Sequence, residues 1–135
     1  MIKVKFKKIY KDKLDPELYN VCFLKATEPP FKGKYWNNFE DGTYYCTICG
    51  SPLFSSKTKF QSQSGWPSFW DPIDLNNLHF EEDKSYGMVR RQVSCNSCGS
   101  HLGHVFDDGP NPTGKRYCIN SLSLVFKPET NKNRS

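Results

Sequence analysis

The chain has 135 residues, enough for one domain and little more. Hydrophobic residues make up 36%, mean hydropathy is −0.70, and no apolar run approaches the roughly 18–20 residues of a membrane span, so the sequence does not read as an integral membrane protein. Twenty aromatics (15%) are more than a disordered chain carries, and the net charge of +5 gathers at the two ends, in Lys3 to Lys13 and Lys127 to Arg134.

The start, Met1 to Lys8, is basic but has no apolar h-region, so a secretory signal is not expected and a cytoplasmic location is. Residues 1–13 read as an N-terminal arm, 14–127 as one domain and 128–135 as a polar tail. Asp15-Pro16-Glu17 is a helix start, with Asp as N-cap, Pro in the first helical position and Glu in the first turn. Leu14, Leu18 and Val21 follow at helical spacing, and Thr27-Glu28-Pro29-Pro30-Phe31 ends the helix.

Beyond Lys34 the pattern changes to short extended segments broken by turns. Strands are expected at Gly42 to Cys46, Leu53 to Phe60, Met88 to Cys95, His101 to Phe106, Arg116 to Asn120 and Ser123 to Phe126. Val89, Val93 and Cys95 are expected on one face. A short helix is expected around Trp66, and Asp107 to Gly114 is a loop rich in turn formers. The fold expected is mainly β, largely antiparallel, behind a short N-terminal helix, around a small ring-rich core that calls for a staple.

Cys46-Thr47-Ile48-Cys49-Gly50 and Cys95-Asn96-Ser97-Cys98-Gly99 supply that staple. Two residues between the cysteines let both thiolates point at one ion, and the glycine allows a tight turn behind it. Four thiolates form a closed tetrahedral zinc site, structural because no coordination position is open. Two disulfides, two redox dithiols or an iron site are the alternatives.

Cys22 and Cys118 have no knuckle partner. In a strand, Arg116, Cys118 and Asn120 share one face, and Tyr117 and Ile119 turn to the core. A guanidinium beside a thiol favours the nucleophilic thiolate. The alternative is a buried structural cysteine. His104, Phe106 and Asp108 share parity, so a carboxylate could fix the tautomer of a proton-carrying histidine near Cys118. His101 and His104 could equally be structural. Trp66, between Gly65 and Pro67, could wall an apolar pocket or belong to the core.

Taken in order, Thr27 to Phe31, the two knuckles, Gly65-Trp66-Pro67-Ser68-Phe69, His101-Leu102-Gly103-His104-Val105-Phe106 and Arg116-Tyr117-Cys118-Ile119-Asn120-Ser121 closely resemble the type B methionine sulfoxide reductases. The resemblance runs from about Pro16 to Phe126. It implies two antiparallel sheets with a distal four-cysteine zinc site. It places Cys118 on the catalytic cysteine, and His101, His104, Asp108, Arg116 and Asn120 on the active-site polar residues. Trp66 falls on the tryptophan that receives the substrate's terminal methyl group. The implied reaction is reduction of methionine-R-sulfoxide, free or, as the family analogy favours, within oxidised proteins under repair, with a sulfenic acid on Cys118 and thioredoxin as the reductant.

Many members of that family carry a resolving cysteine where this chain has Ser64. Cys22 is then the candidate resolving thiol; the alternative is a packed, inert Cys22 with external thiols reducing Cys118 directly. The other readings of the chain are a zinc-ribbon-like binding module and a redox sensor. A monomer acting without nucleic acid or membrane is expected.

Overall fold

The computed structural model describes residues 16–84 and 87–129. The N-terminal arm, the Asp15 cap, Leu14 and the tail from 130 onward lie outside the described residues. Pro16 opens helix α1 (Pro16–Leu24), in the position where its missing N–H costs no hydrogen bond. The helix buries Val21 and Cys22. It stops at Leu24, ahead of the prolines, because Lys25 adopts a left-handed conformation with φ of 64°.

The rest is built from nine strands among the described residues, all paired antiparallel. They are β1 (Gly42–Cys46), β2 (Pro52–Ser55), β3 (Lys59–Phe60), β4 (Ser68–Phe69), β5 (Leu78–Asp83), β6 (Arg90–Cys95), β7 (His101–Phe106), β8 (Arg116–Ile119) and β9 (Leu124–Pro128). One sheet has the order β2-β1-β9, the other β3-β4-β8-β7-β6-β5. The domain is therefore mainly β, with two antiparallel sheets and one helix, as expected. No helix among the described residues is long and apolar enough to cross a membrane.

Rings join the two sheets. Tyr44 of β1 packs edge-on against Phe69 of β4, with centroids 5.1 Å apart, and Phe54 of β2 stacks on Phe69 at 4.4 Å. All three are fully buried, together with Leu53, Leu102 and Ile119. Burying each such side chain is worth about 1.5–3 kcal/mol, so the thin aliphatic content is offset by aromatic area.

Several local expectations are corrected. The strand foreseen at 53–60 is broken by a 3-10 turn, Ser56–Thr58, capped by the Ser55 hydroxyl, which accepts the Lys57 N–H. No helix forms around Trp66; the segment runs through an irregular turn into β4, and a 3-10 turn follows at Leu75–Asn77. Strand β5 was not anticipated, because Leu-His-Phe-Glu-Glu-Asp is the polar edge of its sheet and lacks clean alternation. Strand β6 begins at Arg90, where its pairing with Asp83 starts, so Val89 lies outside the ladder and exposed instead of sharing a face with Val93 and Cys95.

The register across the larger sheet sets up the site. Gln92, His104, Cys118 and Ser68 stand opposite one another on β6, β7, β8 and β4. This row requires β7 and β8 to approach closely at Gly103, where a Cβ would fall 2.0 Å from the carbonyl oxygen of Cys118. Gly103→Ala should therefore push β7 off β8. We expect a loss of about 1–3 kcal/mol in urea denaturation, accompanied by reduced activity because His104 and Cys118 separate.

Candidate active site and metal centre

Strand β8 alternates as its sequence dictates: Tyr117 and Ile119 are buried in the core, while Arg116 and Cys118 are half-buried on the opposite face. Cys118 opens into a pocket of about 360 Å³. Ser64, Trp66, His104, Phe106, Arg116, Asn120, Thr27, Gly103 and Arg90 complete its wall. The fold thus brings Cys118, His104, Arg116, Asn120 and Trp66 to one pocket.

Burial is the strongest influence on the Cys118 thiol and pushes its pKa up. A hydrogen bond with Ser64, whose Oγ lies 3.8 Å from Cys118 Sγ, and the charge of Arg116 pull it down but do not prevail. The expected thiolate-favouring effect of Arg116 is therefore present but outweighed. The His104 imidazole is pushed down, again chiefly by burial. The resting pair is thus a thiol beside a neutral imidazole.

Asp108 does not serve His104. Its two oxygens accept from Arg116, at 2.8 Å from Nε and 3.2 Å from a terminal nitrogen, and the guanidinium lies over the Phe106 ring at 4.4 Å. The fork geometry fixes the plane of Arg116 against the pocket wall. The carboxylate on His104 is Asp83 of β5, with Oδ2 2.8 Å from Nε2. It went unread because Glu81-Glu82-Asp83-Lys84 looks like an ordinary solvated run.

His101 is fully buried behind His104, with the ring centroids 5.7 Å apart, and does not line the pocket. Burial holds it neutral, with a pKa pushed down to about 4. Asn120 is committed to the scaffold: its Oδ1 accepts from the Glu28 N–H at 3.0 Å and its Nδ2 donates to the Leu102 carbonyl at 3.0 Å.

Glu28, like Asp83, takes a role that no local pattern announces. Its buried carboxylate accepts the N–H groups of Ser121 (2.8 Å) and Leu122 (3.0 Å), and its carbonyl accepts the Trp66 indole N–H at 2.9 Å. Cys22 lies elsewhere. It is buried in the core, and burial pushes its thiol pKa up.

The two knuckles fold alike. Gly50 N–H bonds the Cys46 carbonyl at 2.9 Å and Gly99 N–H the Cys95 carbonyl at 2.8 Å, and both glycines take a left-handed conformation that a side chain would strain. The four sulfur atoms lie within 4.8 Å of one another. Cys46 Sγ is 3.7 Å from Cys98 Sγ, and Cys49 Sγ 3.6 Å from Cys95 Sγ, far beyond a disulfide bond. A tetrahedron of thiolates around zinc, at about 2.3 Å each, has edges of about 3.8 Å, so the four cysteines fit such an ion.

The SelR domain matches residues 14–128 of the chain. A peptide methionine sulfoxide reductase MsrB from Thioalkalivibrio sulfidiphilus is 55% identical over 117 residues, covering 87% of this chain and 85% of that protein. One from Methanosarcina barkeri is 58% identical over 120 residues, 89% of this chain and 84% of that protein. The chain belongs to the type B methionine sulfoxide reductases. A mouse relative, the mitochondrial methionine-R-sulfoxide reductase B3, is 55% identical over 116 residues, 86% of this chain but 46% of its own length.

Within this reductase-family pocket Glu28 is the fastening that the geometry makes most testable. Glu28→Ala leaves two inward-facing N–H groups without acceptors, a cost of about 2–4 kcal/mol. We expect a clearly lower melting temperature and a raised KM for a sulfoxide substrate, since Trp66 loses the fixed carbonyl that holds it. Glu28→Gln, which keeps one acceptor oxygen, should recover part of both.

Proposed function

We propose that the chain reduces methionine-R-sulfoxide, free or within proteins, to methionine, with Cys118 as nucleophile, and that thioredoxin recycles it. The observation that carries this reading is Cys118 on the pocket wall in register with His104, with Arg116 and Trp66 in the same pocket. A binding module would leave that arrangement without a task.

The sulfoxide sulfur is electrophilic and its oxygen a poor leaving group. The Cys118 proton passes to His104 and then to that oxygen, while the Cys118 sulfur attacks the substrate sulfur. The substrate sulfur gains two electrons and departs as methionine. Cys118 loses two and carries the oxygen as a sulfenic acid. Trp66 receives the terminal methyl group, and Arg116, oriented by Asp108, stabilises the negative charge on sulfur. Asn120 on the wall and His101 behind it support these groups.

Cys22 then attacks the sulfenic sulfur, forming a disulfide and releasing water, and an external dithiol reduces the disulfide. The only other cysteines among the described residues are the four clustered ones. Because Cys22 is buried on α1, the helix must shift toward the pocket for this step. Pocket, nucleophile and resolving thiol all belong to one chain, so a monomer suffices.

Zinc, held by Cys46, Cys49, Cys95 and Cys98, supplies folding free energy and takes no part in the chemistry. Metal analysis should find one zinc per chain, and Cys98→Ser should lower the melting temperature by on the order of 10 °C or prevent folding. Native protein free of zinc would refute this assignment.

The reaction itself is tested on separated sulfoxide epimers. Wild type should turn over the R epimer alone, and Cys118→Ser should be inactive, because an alcohol is a poor nucleophile toward sulfur. Cys22→Ser should still release about one equivalent of methionine but lose most thioredoxin-dependent turnover. Peptide mapping after one turnover should find a Cys22–Cys118 disulfide in the wild type. Unchanged thioredoxin kinetics in Cys22→Ser would return Cys22 to a packing role.

A further inference from the structure

His104 is the proton carrier in the reading above, and its ring must be presented in one tautomer for that task. The groups facing it are known from every neighbouring element. Cys118 and Arg116 stand on β8, His101 is beside it on β7, Arg90 and the uncharged Gln92 are on β6, and Asp83 is on β5. Of these, only Asp83 touches the ring with a carboxylate, and both side chains are mostly withdrawn from water, at 17% and 11% exposure. A charge-assisted hydrogen bond of 2.8 Å in that setting is strong and directional.

Asp108, which the sequence offered for this role, is 66% exposed and occupied by Arg116. Arg90 also approaches Asp83 Oδ2, at 3.4 Å, and lines the pocket. Asp83 Oδ2 thus meets both the Arg90 guanidinium and the His104 imidazole, and Cys118 stands opposite His104 on β8.

We infer that Asp83 is the positioning residue of the reaction, its carboxylate holding His104 Nε2–H so that Nδ1 is the ring nitrogen that exchanges the proton with Cys118 and the sulfoxide oxygen. The inference rests on the proposed role of His104 and extends it. Asp83 does not touch the substrate. It acts in two ways through the ring. It fixes the tautomer, and it stabilises the imidazolium that forms when the Cys118 proton arrives. Both the hydrogen bond and the charge of Asp83 raise the His104 pKa, opposing the lowering by burial and by Arg90.

The sign of the consequence follows. Without the carboxylate, imidazolium is harder to form. The thiolate–imidazolium pair becomes rarer by the same factor as the His104 constant falls, about tenfold for each pKa unit. The acid limb of the rate profile, where His104 is already protonated and cannot take the Cys118 proton, moves to lower pH.

The test is single-turnover methionine release as a function of pH for wild type, Asp83→Asn, Asp83→Glu and His104→Ala, with NMR titration of the His104 ring. Asp83→Asn should slow the plateau rate about tenfold or more, shift the acid limb down by about one pH unit, and lower the His104 pKa by the same amount. Melting temperature and metal content should stay near wild type. Asp83→Glu should restore the position of the limb. In the wild type, ring nitrogen shifts should report the Nε2–H tautomer of neutral His104, a readout that needs no variant to fold.

A neutral His104 carrying its proton on Nδ1, or an Asp83→Asn protein slowed without any displacement of the limb or the ring pKa, overturns the inference. Asp83→Asn at the wild-type rate, with His104→Ala defective, overturns it while leaving the His104 reading intact. His104→Ala at the wild-type rate removes both.

Discussion

Glu28 reaches from the loop behind α1 into the turn after β8, where its two oxygens accept the backbone N–H groups of Ser121 and Leu122. Its own N–H is held by Asn120 and its carbonyl holds the Trp66 indole. One residue therefore ties three segments with four hydrogen bonds, and each segment contributes to the pocket. Burying a carboxylate is costly, and burial does push the Glu28 pKa up. The cost is partly offset because each carboxylate oxygen meets a backbone N–H that would otherwise be unpaired. This fastening also separates two mechanical parts. Helix α1 ends at Leu24, before the anchor, and the left-handed Lys25 lies between them. If Cys22 travels toward Cys118, the helix can shift about that joint while Trp66 stays fixed.

The four-cysteine cluster governs the other side of the domain. Cys46 ends β1 of the smaller sheet, and Cys95 ends β6 of the larger one. Bringing their sulfurs together ties the two sheets at one corner, which the ring-packed core alone holds less firmly. The cluster is linked to the pocket through short backbone steps. Thr47 bonds the turn after β8 through Ser123 and Leu122, and Ser100 connects the second knuckle to β7. A metal held there supports the register that sets His104 opposite Cys118 without approaching either.

What could be read from the sequence was whatever depends on local spacing. The knuckles need only two residues between cysteines, and the face of β8 follows from alternation, so the metal cluster and the Arg116/Cys118 pair were both legible. The strands His101–Phe106 and Gly42–Cys46 appeared with the bounds expected. Partnerships made across the sheet were not legible. Asp108 shares parity with His104 along one strand, but the loop after β7 turns it to Arg116. Asp83 is 21 residues from His104 and reaches it only because β5, a polar edge strand that gives no hydrophobic pattern, pairs with β6. Glu28 reaches 93 residues forward to Ser121, and nothing in its neighbourhood signals that its side chain turns inward. The Cys118 pKa was misjudged for a related reason. A charge two positions away is visible in sequence, whereas burial is a property of the assembled pocket.

That misjudgement bears on how the chemistry is arranged. A thiol pushed up and an imidazole pushed down leave both groups neutral at rest. A permanently ionised thiolate would be the stronger nucleophile, but it would bring no proton for the sulfoxide oxygen and would be open to oxidation by other agents. Keeping the proton on Cys118 until a substrate fills the pocket couples the two needs. In the proposed reaction the proton the thiol loses is the one the oxygen gains, and the imidazole in register with Cys118 would carry it between them. Ser64 and Arg116 lower the cost of the charged state once it forms, and Asp83 does the same for the imidazolium. Burial, which opposes ionisation at rest, is then what confines the nucleophile to the moment when its proton has somewhere to go.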